Sequence, residues 1–391
     1  MVALLGYGKT TKALAKKIHD VNFFEDIEKS YIDSDGFLHL PFKEYDPAHY
    51  TQTVVSPGIP PSHLAVQKAR NLISEYDYFA PTMPFSIWIS GTNGKTTTTQ
   101  MITHLLGNKA VAGGNIGTPL ANLPQKPIWV LETSSFTLHY TQIAKPNIYV
   151  LLPITPDHLS WHGGFEAYEA AKLKPLSWLR EGEVAIVPKK YANVSSKGMI
   201  IGYEGVEDLG RIFGIDLEKI DFKGAFLLDA VLAMAVQKIL FGYMDYEAIN
   251  TFTIEPHKQE KIVDRAGRIW INDSKATNID ATLQLLQSYK DRKIYLILGG
   301  DNKGVSLEPL FAHLKNAEVF AIGKAMSHIC ELAQKYQIPC QPSQTLQNAV
   351  SAIKQKHTKD SIAMLSPACA SLDQFASYKE RGEVFKQEVL S

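Results

Sequence analysis

The strongest chemical signal in the sequence is a glycine-rich turn that carries a lysine and three threonines, Gly91 to Thr97. A mostly apolar run typical of a buried strand, Phe85 to Ser90, precedes the turn, and helix-forming residues follow it. In such a turn, backbone N–H groups approach phosphate oxygens and the helix N-terminus adds positive potential. Lys95 is placed to reach the terminal phosphates of a nucleotide, and the Thr96 hydroxyl to bind magnesium. Because Ile89 stands where the strict motif has its first glycine, a plain strand-to-helix turn is the alternative.

Two further polar residues follow candidate strands. Glu132 ends the apolar run Ile128 to Leu131, and His158 follows the run Ile148 to Pro153. Because the carboxyl ends of parallel strands meet at one edge of a sheet, both side chains are expected near Lys95. A carboxylate in that position can hold magnesium beside a phosphate loop. Taken alone, each residue is also typical of an ordinary loop.

A second glycine turn lies near the N-terminus, where Gly6 and Gly8 follow the strand-like run Val2 to Leu5. Thr11 occupies the third glycine position of a dinucleotide-binding fingerprint, and Asp26 lies 20 residues beyond Gly6. This broken fingerprint is a weak indication of nicotinamide-cofactor binding. A Rossmann oxidoreductase therefore stays an alternative.

The elements that must position these residues alternate between strand and helix along the whole chain. Such alternation is typical of α/β domains with parallel sheets built from βαβ units. At about 150 residues per domain, the 391 residues suggest two or three domains. Prolines at two candidate linkers divide the chain into predicted domains 1–84, 85–255 and 256–391. Strands are predicted at Val2 to Leu5, Ile87 to Ser90, Ile128 to Leu131, Ile148 to Pro153, Ile269 to Ile271, Ile294 to Leu298, Val319 to Ile322 and Ile362 to Leu365.

Composition argues against several other classes of protein. Hydrophobic residues make up 45% and charged residues 20%, which is typical of a globular chain. Lys plus Arg and Asp plus Glu both number 40, so the net charge does not favour binding to nucleic acid or to a membrane surface. Three cysteines without a CxxC pair argue against a disulfide framework or structural zinc. Without a long apolar stretch or a signal-peptide pattern, we expect a cytoplasmic protein that does not insert into membranes.

Four motifs together resemble the Mur ligase family, whose ATP-dependent members build the stem peptide of peptidoglycan. They are GTNGKTT at 91–97, GGNIGTP at 113–119, LETSSF at 131–136 and DHLSWH at 157–162. The last third resembles the members that add D-glutamate to UDP-N-acetylmuramoyl-L-alanine, through NDSKATN at 272–278, LGGDNKG at 298–304, LSPACASLDQF at 365–375 and YKERG at 378–382. The resemblance covers almost the whole chain. It implies an N-terminal Rossmann-like domain that binds UDP, a central P-loop ATPase-type domain and a C-terminal Rossmann-like domain.

The resemblance also implies roles for single residues. Those implied as catalytic are Lys95, His158 and Lys172. Those implied to contact ATP are Gly91, Thr92, Asn93, Gly94, Lys95, Thr96, Thr97, Lys258, Asp273 and Lys275. Those implied to contact the UDP-sugar are Gly8, Lys9, Thr10, Asp26, Ser56, Gly58, Asn115 and His158. Those implied to contact D-glutamate are Thr277, Lys303, Ser371, Leu372 and Tyr378. Two magnesium ions are implied, and the residues that would hold them are Thr96, Glu132, His158 and Lys172.

The implied reaction joins D-glutamate to the sugar nucleotide through an acyl phosphate made from ATP, as a step of cell-wall synthesis that serves cell shape and cell division. A lysine ligates magnesium only as a carbamate, so a carbamylated Lys172 is implied. A monomer with a lid-like last domain is expected. Without the resemblance, Lys172 would be typical of a surface helix residue, and Asp273 or Ser274 of a helix N-cap.

Two departures from the family pattern are present. Lys258 stands where the family commonly has Arg, so a contact to the γ-phosphate would lose its bidentate geometry. The helix start Gly224 to Ala230 lacks two asparagines of the family, so any nucleotide contact they make must come from elsewhere. The remaining alternatives are another Mur-type or folylpolyglutamate-type amino-acid ligase and a non-catalytic nucleotide-binding module.

Overall fold

The structure, a computed structural model, describes residues 1–18 and 20–391. The chain forms two compact units, Met1–Phe252 and Thr253–Ser391. Two six-stranded sheets lie in the first unit and a third lies in the second unit, which confirms the predicted α/β class. The domain boundaries at 84/85 and 255/256 stay predictions. No helix in the described part of the chain is both long enough and apolar enough to cross a membrane.

The first sheet contains six short strands: β1 (Val2–Leu5), β2 (Val21–Glu25), β3 (Tyr31–Ile32), β4 (Leu38–Pro41), β5 (Gln52–Val55) and β6 (Leu72–Ile73). Three helices accompany them: α1 (Lys9–Ile18), α2 (Leu64–Lys68) and α3 (Glu75–Phe79). The spatial order is β3-β4-β2-β1-β5-β6, and the strands are parallel except for β3. Because β1 lies between β2 and β5, the turn after β1 stands where the strand order reverses.

The second sheet is wholly parallel, with strands β7 (Phe85–Ser90), β8 (Ala110–Gly114), β9 (Ile128–Glu132), β10 (Ile148–Leu151), β11 (Val184–Pro188) and β12 (Met199–Tyr203). Its helices are α4 (Lys95–Leu106), α5 (Ser135–Tyr140), α6 (Leu159–His162), α7 (Phe165–Trp178), α8 (Val206–Phe213), α9 (Ala225–Phe241) and α10 (Tyr246–Asn250). The order is β12-β11-β10-β7-β9-β8. The order reverses at β7, and ligands of open α/β sheets bind at such a point.

The third sheet contains β13 (Glu260–Val263), β14 (Ile269–Asn272), β15 (Lys293–Gly299), β16 (Ala317–Ile322), β17 (Cys340–Gln344) and β18 (Ser361–Leu365). Its helices are α11 (Ile279–Ser288), α12 (Glu308–Phe311), α13 (Met326–Lys335), α14 (Leu346–Lys354) and α15 (Tyr378–Leu390). The order is β13-β14-β18-β15-β16-β17, with only the edge strand β13 antiparallel to its neighbour.

The central strands are continuous apolar runs in the sequence because both of their faces are buried. All five residues of β9 are buried, including Trp129 and the terminal Glu132. In a parallel sheet that is covered on both faces, neither set of side chains faces water. Each large apolar side chain then stabilises the fold by about 1.5–3 kcal/mol. Glu132 is the polar exception in this strand, at the edge where the candidate site lies.

All eight predicted strands are present, and the differences are confined to their ends. β10 ends at Leu151 and not at Pro153, because proline has no N–H group to donate to a ladder. The alternative that Asp273 or Ser274 caps a helix is wrong. Helix α11 begins only at Ile279, and the Asn278 side chain accepts a backbone hydrogen bond in its first turn.

Candidate active site

The glycine turn between β7 and α4 has a backbone conformation that favours glycine. Gly91 and Gly94 have φ angles of 133° and 84°. A Cβ on Gly91 would lie 2.5 Å from Leu152 Cβ, and a Cβ on Gly94 would lie 2.6 Å from Asp229 Oδ1. Conformation and close packing therefore both require glycine, and the turn presents the N-terminus of α4 at the carboxyl edge of the sheet.

Thr92 attaches this turn to the end of the neighbouring strand β10. Its hydroxyl donates to Thr155 O at 2.9 Å, accepts the Thr155 N–H at 2.9 Å and lies 3.0 Å from the Tyr168 hydroxyl. The Nζ of Lys95 donates to Thr92 O at 2.7 Å. The ammonium thus bends back over the turn, where a phosphate loop holds the terminal phosphates of its nucleotide.

Two oxygen atoms suited to magnesium lie beside the turn. The Thr96 hydroxyl donates to Glu132 Oε2 at 2.8 Å, and Asn115 Nδ2 donates to Glu132 Oε1 at 2.7 Å. Asn115, predicted to contact the sugar nucleotide, is therefore brought to the predicted metal ligands. No group of three or more His, Cys, Asp and Glu residues that could hold a metal occurs within residues 1–18 and 20–391. Magnesium usually keeps several waters and takes substrate phosphates as ligands, so a hydroxyl and one carboxylate fit its needs.

Lys172 lies in α7 and is only 1% exposed, so its interpretation as a surface residue is wrong. Its Nζ donates to Gly91 O at 2.7 Å and lies 3.4 Å from Ser90 Oγ. The ring of Tyr168 lies 4.7 Å away. Burial lowers the pKa of Lys172 well below its usual value, and the positive charge of Lys95 lowers it further. The lowered pKa favours the neutral amine, which is a nucleophile, over the ammonium.

His158 lies between β10 and α6 with a left-handed backbone, at φ 53°. Asp157 Oδ1 accepts the His158 N–H at 2.9 Å, and Asp157 Oδ2 lies 3.5 Å from His158 Nε2. The ring packs edge-on against Phe136, with 4.8 Å between centroids. The imidazole is 37% exposed, so it is accessible at the sheet edge that also carries Lys95 and Glu132.

His162 is a neighbouring residue for which the sequence predicted no role. Its Nε2 lies 2.9 Å from Ser135 Oγ, while its Nδ1 is buried without a hydrogen-bond partner. Burial lowers the pKa of His162 to about 4, and repulsion from His139 or Lys172 in their protonated forms lowers it further. The ring is therefore neutral at neutral pH and adds no charge beside the candidate site.

Asp229 is a second residue that the sequence analysis did not assign to the site. It lies in α9, is 2% exposed, and its Oδ1 accepts the Thr98 hydroxyl at 2.7 Å. The same oxygen faces Gly94 across the close approach described above. The available signal was a single acidic residue inside the apolar run Ala225 to Val236. Its carboxylate packs against the glycine turn between β7 and α4.

We expect that Asp229→Ala destabilises the chain and weakens nucleotide binding, because the buried Thr98 hydroxyl loses its shorter hydrogen bond and keeps only the 3.2 Å bond to Gly94 O. A hydrogen bond to a charged group contributes about 1.5–3 kcal/mol. Thermal unfolding and the KM for ATP measure the two effects. Asp229→Asn is the matched control, since it retains an acceptor oxygen and should lose less than Asp229→Ala. Equal losses in the two variants would contradict a role based on this hydrogen bond.

Six of the eight residues predicted to bind the sugar nucleotide lie at the carboxyl edge of the first sheet, whereas Asn115 and His158 lie at that of the second. A Cβ on Gly8 would lie 2.8 Å from Ser56 Oγ, so the turns after β1 and β5 touch. The fully buried Thr11 hydroxyl donates to Gly6 O at 2.7 Å and accepts the Gly8 N–H at 3.1 Å. Thr11 therefore closes the first turn from inside, and Asp26 is exposed just after β2. Of the other predicted residues, Lys9 and Thr10 begin α1, and Gly58 lies in the turn after β5.

In the second unit, three residues predicted to contact ATP already have protein partners. The buried Asp273 carboxylate accepts hydrogen bonds from Ser366 Oγ at 2.9 Å and Gln259 N at 3.2 Å, and burial raises its pKa to about 7. Lys275 Nζ lies 4.2 Å from the centroid of the Tyr378 ring, which was predicted to contact D-glutamate. Lys258 Nζ forms an ion pair with Glu255 at 2.9 Å.

Three of the residues predicted to contact D-glutamate are brought together by backbone pairing. Asp301 and Ala370 form an isolated antiparallel bridge between the loops after β15 and β18. Lys303 lies on the first of these loops, with a left-handed φ of 52°. Ser371 and Leu372 lie on the second, and Leu372 is 73% exposed. The fourth such residue, Thr277, is half-buried just before the start of α11.

Comparisons with known proteins show which sequences and folds the chain resembles. Residues 89–199 match the family model described as the Mur ligase middle domain. A Campylobacter jejuni protein named UDP-N-acetylmuramoylalanine–D-glutamate ligase is 51% identical over 395 residues, covering 99% of this chain and 98% of the relative. A Thermotoga maritima MurF ligase solved with ADP has a TM-score of 0.62 at 14% identity, covering 99% of this chain and 94% of that one. A Mycobacterium tuberculosis folylpolyglutamate synthase solved with ADP and AMPPCP has a TM-score of 0.56 at 14% identity, covering 80% and 92%.

Proposed function

The chain belongs to the Mur ligase family, and from this premise we propose that it joins D-glutamate to UDP-N-acetylmuramoyl-L-alanine at the expense of ATP. The observation that carries the proposal is the phosphate turn with Lys95 over it, the Thr96–Glu132 pair beside it and the buried Lys172 beneath it. The full-length similarity to relatives named as the D-glutamate ligase selects this member. The fold alone does not distinguish the D-glutamate-adding activity, because a folylpolyglutamate synthase has a similar fold.

In the first step, the free carboxylate of UDP-N-acetylmuramoyl-L-alanine attacks the γ-phosphorus of ATP, and ADP leaves. A carboxylate is a poor electrophile, and the acyl phosphate formed here is a good one. Two anions must approach each other, so positive charge at the phosphate is the main requirement. The Lys95 ammonium and the backbone N–H groups of the turn supply that charge at the N-terminus of α4.

Magnesium would be held by the Thr96 hydroxyl and the Glu132 carboxylate, whose oxygens already lie within 2.8 Å of each other. The ion would supply Lewis-acid stabilisation of the phosphate oxygens. Asn115 orients Glu132 by binding its other oxygen at 2.7 Å. His158, accessible at the same edge, is the proposed ligand of a second ion together with Lys172.

Lys172 fits that second role only after modification, since an ammonium has no lone pair to offer. Its neutral amine and carbon dioxide would form a carbamate with release of one proton, which gives an anion with two oxygens. The lowered pKa supports this step, because only the neutral amine attacks carbon dioxide. The His158 imidazole and a carbamate provide the donor types that a divalent cation accepts.

In the second step, the amine of D-glutamate attacks the acyl carbon, phosphate leaves and an amide forms. We assign D-glutamate to Thr277, Lys303, Ser371, Leu372 and Tyr378, of which Lys303, Ser371 and Leu372 lie on loops joined by the Asp301–Ala370 bridge.

The sugar nucleotide is assigned to the touching turns after β1 and β5, where Gly8 meets Ser56. Action as a monomer in the cytoplasm, in cell-wall synthesis that supports cell shape and division, belongs to the same proposal.

The test is phosphate release from ATP in the presence of UDP-N-acetylmuramoyl-L-alanine and one of three amino acids. We expect release with D-glutamate and little with L-glutamate or diaminopimelate. A fourth arm with a folate substrate and L-glutamate tests the folylpolyglutamate-type alternative. Release in that arm alone would overturn the proposal, and nicotinamide binding without ATP turnover would favour an oxidoreductase.

A further inference from the structure

Three loops at the carboxyl edge of the third sheet pack into one cluster, which we call the acceptor loops: residues 299–304, 323–324 and 368–373. Asp301 and Ala370 exchange backbone hydrogen bonds of 2.9 and 2.8 Å. Ala325 N donates to Gly300 O at 3.0 Å, which ties the middle loop to the first. A Cβ on Gly323 would clash with the Asp373 carboxylate and lie 3.0 Å from Gly300 Cα. The loops therefore form one closely packed body.

Lys324 has a defined place in this cluster. Its backbone N–H donates to Asp373 Oδ2 at 2.8 Å, and its Nζ lies 3.5 Å from Asp301 Oδ2. The Lys303 backbone N–H and the charges of Lys324 and Lys303 lower the pKa of Asp301, so this carboxyl is ionised at neutral pH. The Lys324 side chain is 72% exposed. Exposed ion pairs of this kind are weak, so Nζ can exchange Asp301 for another carboxylate at little cost.

The chemistry of the acceptor requires such a group. D-Glutamate carries two carboxylates, and Lys303 is assigned to only one of them. Asp301 and Asp373 add two negative charges to the same loops, which would repel a dicarboxylate unless a second cation offsets them. Two other cations of this unit are engaged elsewhere: Lys275 lies over the Tyr378 ring, and the buried Arg381 guanidinium donates to Ser274 and to Cys369 O.

We propose that Lys324 is the second cation of the acceptor site: it binds the carboxylate of D-glutamate that Lys303 does not bind, and so selects dicarboxylate over monocarboxylate amino acids. This inference rests on the proposed function and names a specificity residue for it. As a point charge on a flexible stem, a lysine suits a carboxylate that must enter and leave in every cycle.

The experiment measures steady-state phosphate release by the full chain with ATP and UDP-N-acetylmuramoyl-L-alanine. The acceptors are D-glutamate, D-glutamine, which lacks the side-chain carboxylate, and 4-aminobutyrate, which lacks the α-carboxylate. The variants are Lys324→Met, Lys324→Arg and the control Lys335→Met. Lys335 is an exposed lysine of α13 in the same unit, paired with Glu308.

For Lys324→Met we expect the KM for D-glutamate to rise roughly tenfold to a hundredfold, because a hydrogen bond to a charged group is lost. The KM for ATP should stay unchanged. The preference for D-glutamate over the analogue that lacks the Lys324-bound carboxylate should fall by the same factor. Lys324→Arg should restore most of the affinity, and Lys335→Met should behave as the wild type.

A KM for D-glutamate in Lys324→Met within twofold of that of Lys335→Met would overturn the inference. An unchanged preference for D-glutamate over both analogues would also overturn the inference. An equal rise in the KM for ATP would overturn it as well, since it would indicate a structural role. If the wild type releases no phosphate with D-glutamate, the proposed function fails and this inference with it. Normal wild-type turnover with an unaltered Lys324→Met variant would overturn this inference alone.

Discussion

Replacing Lys95 by alanine is expected to lower kcat by about 10³-fold or more while the fold is retained. A single hydrogen-bond donor aimed at developing negative charge contributes about 10²–10³ in rate, and Lys95 also offsets the repulsion between two reacting anions. Its Nζ contacts a backbone oxygen of the turn at 2.7 Å, and the side chain is only half-buried. Phosphate release measures the loss, and circular dichroism with thermal unfolding checks the fold.

The control for this variant is Lys197→Ala, which removes an exposed lysine from the same compact unit. It should leave kcat and thermal stability unchanged, which would exclude a general effect of removing positive charge. Turnover of Lys95→Ala within tenfold of the wild type would contradict the phosphate role of the turn. Because Lys95 lowers the pKa of Lys172, its removal should also raise that pKa.

The conformation of the glycine turn was predictable because its residues are contiguous in sequence. The strand β7, the glycines and Lys95 follow one another directly, so local rules for buried strands, positive φ angles and helix starts place all of them. Glu132 and His158 were predictable for a related reason. Each follows an apolar strand, and parallel pairing brings the ends of β7, β9 and β10 to one edge.

The environment of Lys172 was not predictable from local pattern. Lys172 and Lys174 lie two residues apart in α7 and look equivalent in the sequence. In the structure, Lys172 binds Gly91 O, whereas Lys174 binds the carbonyls of Leu138, His139 and Thr141. Only tertiary packing, which brings residues more than 80 positions apart into contact, separates the two roles. The family resemblance supplied the predicted role of Lys172, and the structure shows its burial.

Asp229 and Asp273 show two other limits of sequence analysis. Asp229 contacts Thr98 across 131 positions, so only its unusual place in an apolar helix marked it beforehand. Asp273 was open to interpretation as a helix cap, because short polar residues before a helical pattern favour capping. In the structure, the Asp273 carboxylate instead accepts a hydrogen bond from the Ser366 hydroxyl, on the loop after β18. The helix begins later, at Ile279.

Replacing Lys172 by methionine is expected to reduce kcat by about 10²-fold or more, since charge-stabilising groups at a transferring phosphate contribute on that scale. If the carbamate forms, wild-type activity in carbon-dioxide-free buffer should rise when bicarbonate is added, and the variant should not respond. Bicarbonate-independent activity of the wild type would contradict the carbamate. Activity of Lys172→Met close to that of the wild type would contradict any catalytic role.

The same variant has a predictable effect on the pH dependence of stability. The pKa of Lys172 is lower in the folded state than in the unfolded state, so between the two values the unfolded chain binds more protons. The free energy of unfolding therefore rises with pH, from the folded-state pKa up to the unfolded value of about 10.4. One such group contributes up to about 1.4 kcal/mol per pH unit. Urea unfolding in carbon-dioxide-free buffers should show a slope that is smaller in Lys172→Met than in the wild type by this contribution.

Lys174→Met is the matched control, because it removes the neighbouring lysine from the same helix. The Lys174 ammonium binds three carbonyl oxygens at 2.7–3.1 Å around the end of α5, so its loss leaves them without a donor. We expect this variant to unfold at a lower temperature and to keep most of its kcat. Lys172→Met should show the opposite pattern, with activity lost and stability near neutral pH retained or raised, because burial of this amine disfavours the folded state at that pH. If both variants lose activity in proportion to stability, Lys172 is a structural residue and the proposed carbamate has no support.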